Sequence, residues 1–190
     1  MNIIHRSNWN NQSVLGTYMS GIYVILLIMN DREKFLQLGK YTGDYPEWLV
    51  EKAKEVDKTV VDEEYIKKIL RIIAAEFDPD KYEIYKSSDI RESRLITARQ
   101  IIEKRQSTCG SRATVVASVL RKLGIPTKLI HGKYIESNPE MRHAWNEVLL
   151  DNGKWVPFDI FGKKRGIGKY HKKELEVVDW EDIEDRIDSI

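Results

Sequence analysis

Between Thr108 and Ile160 the chain is written as one helix followed by three strands. Ser107 or Thr108 can cap a helix whose first residues are Cys109 and Gly110. Ala113, Val116, Ala117, Leu120 and Leu123 recur at helical spacing, and Gly124 and Pro126 stop the run. Strands are expected over Thr127 to Ile135, His143 to Leu150 and Lys154 to Ile160. Asp151, Asn152 and Gly153 turn the last two into a hairpin. A helix packed on an antiparallel sheet is the α+β class, and that is the expected fold.

Upstream, two helices are expected after Pro46. In the first, Leu49, Ala53, Val56 and Val60 keep helical spacing, with Trp48 beside the stripe. Asp62 can cap the second, where Tyr65, Ile66, Ile69, Leu70, Ile73 and Ala74 share one face and Pro79 and Asp80 end the run. A third helix is expected over Ser93 to Lys104. The first 45 residues read differently. Gly21 to Ile28 is apolar and rich in β-formers, Asn30 and Asp31 are turn residues, and Lys34 to Gly39 follows, which reads as a β-hairpin. The expected organisation is therefore an N-terminal hairpin extension over 1–45 and a catalytic domain over 46–190.

Composition narrows the function classes. A formal net charge of +1 gives no global field toward nucleic acid or membrane, so neither is expected as a partner. The apolar run from Ile22 to Met29 is far shorter than the ~20 residues of a spanning helix. It also lacks the flanks of a signal peptide. One cysteine cannot form an internal disulfide, which fits a reducing compartment; the expected location is the cytoplasm. Asp78, Asp80 and Asp89 sketch a calcium loop, but Glu83 stands where a glycine is needed. No metal or cofactor is expected.

The lone Cys109 opens a helix, where backbone N–H groups and the helix dipole favour the thiolate. A small buried hydrophobe is the plainer reading of a free cysteine. A thiol nucleophile needs a base, and the base needs a third group to hold its tautomer. His143 opens the second strand and Asp159 ends the third, so the three groups are present in the chain. Each alone is open to an ordinary role, as a satisfied histidine or a lysine-paired aspartate. His131 is a rival base with no evident carboxylate in line.

Taken in order, four motifs carry more weight. They are Cys109-Gly110-Ser111-Arg112-Ala113, Leu120-Arg121-Lys122-Leu123-Gly124-Ile125-Pro126, His143-Ala144-Trp145-Asn146-Glu147-Val148 and Trp155-Val156-Pro157-Phe158-Asp159. Together they closely resemble the transglutaminase-like superfamily, strongly over Thr97 to Ile160 and back to about Trp48. The resemblance implies a papain-like α+β fold with a Cys-His-Asp triad, whose roles fall on Cys109, His143 and Asp159. It implies acyl transfer through a Cys109 thioester on a peptide or protein substrate. Peptidase or amidase activity is the expected outcome, with transamidation second and a silent binding domain third. The Cys109 backbone N–H is the natural first oxyanion donor. Papain-type enzymes add an upstream glutamine, but neither Gln106 nor Gln100 has the papain spacing, so the second donor stays unassigned. Trp145 and Trp155 shield the His–Asp pair or simply pack the core.

The hairpin register decides whether the triad can form. Side chains alternate along a strand, so His143 and Asp159 share a face only if paired positions have an even sum. A two-residue loop of Asn152 and Gly153 gives an odd register that separates them. A three-residue loop from Asp151 to Gly153, with Gly153 at positive φ, pairs Leu150 with Lys154 and brings them to one face. The three-residue loop, or a compensating bulge, is therefore expected.

Overall fold

The computed structural model describes residues 32–77, 96–106, 108–133, 142–160, 166–167 and 175–176. After a short helical stretch at 32–34, the helices before the sheet are α1 (Lys40–Gly43), α2 (Glu47–Lys54), α3 (Glu63–Ala75), α4 (Ala98–Glu103) and α5 (Cys109–Lys122). The strands are β1 (Thr127–Lys133), β2 (Arg142–Leu149), β3 (Trp155–Asp159) and two short pieces, β4 (Gly166–Ile167) and β5 (Leu175–Glu176). They form an antiparallel sheet in the order β4-β3-β2-β1-β5. The fold is α+β.

The helix starts follow the caps. The Asp62 carboxylate accepts from the Tyr65 N–H at 2.8 Å and opens α3. Six apolar residues of α3, Tyr65 through Ala74, are buried on one stripe as the sequence predicts. Thr97 and Gln100 exchange side-chain bonds with each other's backbone, a capping box that starts α4. The helix expected from Ser93 thus begins at Ala98; Ser93 to Leu95 lie outside the described residues, as do Pro79 and Asp80.

α5 is the centre of the molecule. A single apolar stripe predicts one buried face, yet every residue from Ser111 to Arg121 is buried. A helix covered all round must satisfy its polar side chains internally. Arg112 donates to the Ile160 and Phe77 carbonyls, Ser118 to the Thr42 carbonyl, and Arg121 to the Thr127 and Gln37 carbonyls. These acceptors lie in five separate segments, after β3, after α3, in α1, at the start of β1 and before α1, so the helix orients its surroundings.

Two expectations fail upstream. Lys34 to Gly39 is not a strand: residues 32–34 are helical, a turn follows, and α1 begins at Lys40. The other half of the expected hairpin, Gly21 to Ile28, lies outside the described residues. The Phe35 carbonyl accepts from Thr127 N–H and the Gln37 carbonyl from Arg121, so this stretch is held by contacts distant in sequence. Secondly, α2 ends at Lys54, although its periodicity runs on to Val60, which is exposed. There the chain turns to dock on the hairpin loop, where Val61 N–H donates to the Asp151 carboxylate and Asp151 N–H to the Val61 carbonyl.

The β2–β3 register is even. Leu149 pairs with Trp155 and Asn146 with Phe158, each summing to 304. Leu150 N–H donates to the Lys154 carbonyl at 3.0 Å, and Gly153 has φ 78°. The loop is the three-residue one, with glycine in the left-handed region. A Cβ at Gly153 would meet nothing within 4 Å, so a substitution there carries only the backbone penalty. Gly153→Ala is expected to lower unfolding stability by about 1 kcal/mol, and Gly153→Asn by less. Urea denaturation measures this; equal midpoints for glycine and alanine would contradict the left-handed turn.

Candidate active site

The position of Cys109 comes from the α5 cap. The Thr108 hydroxyl accepts from Ser111 N–H at 3.1 Å, which sets Cys109 as the first helical residue. Cys109 is half-buried and packs against the small cluster of Tyr41, Ala113, Ala117, Leu129 and Ala144. Its thiol bonds the His143 ring and the N–H groups of Ala144 and Gly110.

β2 brings the histidine. Asn146 lies three residues along the strand, and its side chain donates to the Ala113 carbonyl at 3.0 Å and the Lys128 carbonyl at 3.2 Å. This buried amide ties β2 both to the helix bearing Cys109 and to β1. It was legible only as part of the His143 motif, with no sign of what it would hold.

β3 brings the carboxylate. The even register turns Asp159 to the face of His143, and His143 Nε2 lies 2.6 Å from Asp159 Oδ2. Both residues are buried. With Nε2 taken by Asp159, the bond to the thiol falls to Nδ1. The Ile160 carbonyl beside Asp159 accepts from Arg112 on the first turns of α5, so β3 and the Cys109 helix are fastened next to the site. The structure therefore brings Cys109, His143 and Asp159 together.

The electrostatics follow from these contacts. Burial pushes the Cys109 thiol up, but His143 and the two N–H groups outweigh it and hold the thiol below its ordinary range. Burial pushes the His143 imidazole down, and the bonds to Asp159 and Cys109 override this and raise it to about 9. Lowered thiol beside raised imidazole is the arrangement of a thiolate–imidazolium pair.

The two tryptophans part ways. Trp145 is buried with its ring stacked on His143, centroids 6.2 Å apart at 18°. Trp155 sits at the loop end of the hairpin, edge-on to Phe35 at 5.5 Å with the Lys128 ammonium 3.9 Å over its ring. Only Trp145 can shield the His–Asp pair. His131 pairs with Ala144 across β1 and β2 and with Glu176 on β5. Register puts it on the opposite face from His143, and it is His143 that bonds the thiol.

Among the described residues no His, Cys, Asp and Glu cluster could hold a metal ion. The residues of the sketched calcium loop lie outside the described residues, as do most of those from 163 onward. No helix among the described residues is long and apolar enough to cross a membrane.

Comparison with known proteins gives the same grouping. No curated protein matches the chain. A proposed cysteine protease from Cytophaga hutchinsonii is 23% identical with a TM-score of 0.50, covering 68% of this chain and 42% of that one. The periplasmic domain of TgpA from Pseudomonas aeruginosa bound to ethylmercury is 20% identical with a TM-score of 0.46, over 69% of this chain and 48% of that one. A structure described as a TGase is 19% identical with a TM-score of 0.44, over 67% and 33%. The chain thus spans less than half the length of these structures, and at such identities the first of them speaks for the fold alone. The model of the transglutaminase-like superfamily matches residues 50–160, more than half of the chain, from within α2 to just past the end of β3. The chain belongs to the transglutaminase-like superfamily.

Proposed function

We propose that this protein is a thiol enzyme that acts on amide bonds through a Cys109 thioester, with hydrolysis as its main outcome. The observation that carries the reading is the buried chain of contacts from the Cys109 thiol through His143 to Asp159. The Cys109 thiolate attacks the amide carbonyl carbon. A C–S bond forms and the carbonyl electron pair moves to oxygen. When the C–N bond breaks, the His143 imidazolium gives its Nδ1 proton to the leaving amine. Water then resolves the thioester, with neutral His143 as its base. Asp159 holds the ring and stabilises its charged form.

Hydrolysis is favoured over transamidation because water is always present, whereas cross-linking needs a site that admits an amine and excludes water. The proposed substrate is a peptide or protein. The proposed location is the cytoplasm, where a lone active thiol stays reduced.

The test is to incubate wild type and Cys109→Ala with a mixture of peptide amides, with and without an added primary amine, and follow products by mass spectrometry. Wild-type cleavage that Cys109→Ala lacks is the expected result. Products carrying the added amine would favour transamidation. No turnover, together with ordinary slow alkylation of Cys109, would make this a binding domain and overturn the reading.

A further inference from the structure

The sheet has two faces, and the second histidine lies on the one that adjoins the thiol cluster. Ala144 and Leu129 belong to the cluster against which Cys109 packs, and the Ala144 N–H bonds the thiol. His131 pairs directly with Ala144 and stands two residues from Leu129, so the alternation of side chains puts it on this same face. Opposite residues in an antiparallel ladder have Cβ atoms roughly 4.5–5.5 Å apart, so the imidazole starts beside the Ala144 methyl group. Ala144, Leu129, Tyr41 and Ala113 are buried, whereas His131 is half-buried, as are Thr108, Cys109 and Gly110. His131 is thus a polar side chain that a substrate at Cys109 can meet.

The charges nearby are mostly basic. Lys133 and Arg142 form the next pair on the same face of the β1–β2 ladder. Lys40 is exposed on α1, with its ammonium 5.6 Å from the ring centroid of Tyr41, a member of the cluster at Cys109. Against these stands Glu176, which pairs with His131 from β5. The reaction decides which part of a substrate lies here. The leaving amine takes its proton from His143 Nδ1 and so departs on the His143 side, while the acyl group stays bonded to Cys109. The face of Ala144 and His131 is left for the acyl group.

We propose that His131 donates a hydrogen bond to a carboxylate on the acyl part of the substrate, in the field of Lys40, Lys133 and Arg142. The preferred substrate is then a peptide with an acidic residue on the acyl side of the cleaved bond. This rests on the acyl-transfer reading above and names its substrate class. An imidazole has two ring nitrogens, so a bond made by one within the protein leaves the other for the substrate.

The test compares two esters that acylate the same thiol with release of nitrophenolate. p-Nitrophenyl hydrogen adipate and p-nitrophenyl hexanoate carry acyl chains of equal length, one ending in a carboxylate and the other in a methyl group. The ratio of their rates cancels any change in the thiol itself, and free cysteine supplies the reference ratio. The wild type is expected to exceed that reference by roughly tenfold, and by less at raised salt. His131→Gln should bring the ratio close to the reference. Lys40→Glu, a change at an exposed position, is the second variant and should lower the ratio about threefold. A wild-type ratio equal to that of free cysteine overturns the proposal. So does a preference that His131→Gln leaves unchanged, since the carboxylate would then be drawn by the His143 imidazolium. If His131→Gln does not fold, an unchanged ratio in Lys40→Glu overturns it. A wild-type chain that iodoacetamide alkylates readily but neither ester acylates would overturn the acyl-transfer reading itself and this inference with it.

Discussion

At about pH 6, His143→Ala is expected to reduce alkylation of Cys109 by iodoacetamide on the order of 10²-fold. An ordinary thiol of pKa about 8.5 is only about 0.3% ionised there. In the wild type, His143 and the N–H groups of Ala144 and Gly110 hold the thiol below its usual range against the opposing effect of burial. Its thiolate fraction at pH 6 should therefore exceed that of an ordinary thiol. A lower-pKa thiolate is a weaker nucleophile, which recovers part of the difference for the mutant but not most of it. The mutant keeps the two N–H bonds and loses the cation. The wild-type rate should rise well below pH 8, whereas the mutant should follow an ordinary thiol titration. Superimposable profiles would rule out the pair.

Removing the Asp159 carboxylate is expected to have the next largest effect. Asp159→Ala deprives His143 Nε2 of its carboxylate partner and should lower turnover by about 10²–10⁴-fold. Asp159→Asn keeps a carbonyl oxygen that can accept from Nε2 but loses the charge, so its loss should be smaller. Both variants should move the alkaline limb of the pH profile in the same direction. In the wild type, the Asp159 and Cys109 bonds override burial and raise His143 to about 9. The imidazolium that protonates the leaving amine is present below that pH and lost above it. Without the carboxylate the imidazole loses its proton at lower pH, so activity should fall off earlier as pH rises. Full activity and an unmoved limb in Asp159→Asn, on a substrate that Cys109→Ala cannot process, would leave Asp159 a structural role.

What the sequence could reveal followed the range of the forces involved. Asp62 and Thr108 act on N–H groups three residues away, so the starts of α3 and α5 were readable, whereas the helix expected from Ser93 begins only at Ala98, behind the Thr97 cap. The even register followed from one requirement, that His143 and Asp159 share a face, and it implied a left-handed Gly153. Longer-range ties were hidden. The stretch from Lys34 to Gly39 has strand-like composition, but its carbonyls are claimed by Thr127 and Arg121 across the fold. The docking of Val61 on Asp151 ends the helical course that the spacing through Val60 suggested. Ser118, Arg112 and Asn146 look like surface residues until α5 is seen to be buried all round. The same holds for Gln106, whose burial is a property of the folded chain alone.

The central claim is that Cys109 accepts an acyl group because His143 keeps it ionised. Acid-quench mass spectrometry after brief exposure to p-nitrophenyl acetate tests it directly. One acetyl group on the peptide that contains Cys109 is the expected result in the wild type, appearing much more slowly in His143→Ala and not at all on that peptide in Cys109→Ala. Acetyl groups scattered over lysines with Cys109 unmodified, or equal acylation of Cys109 in wild type and His143→Ala, would contradict the account.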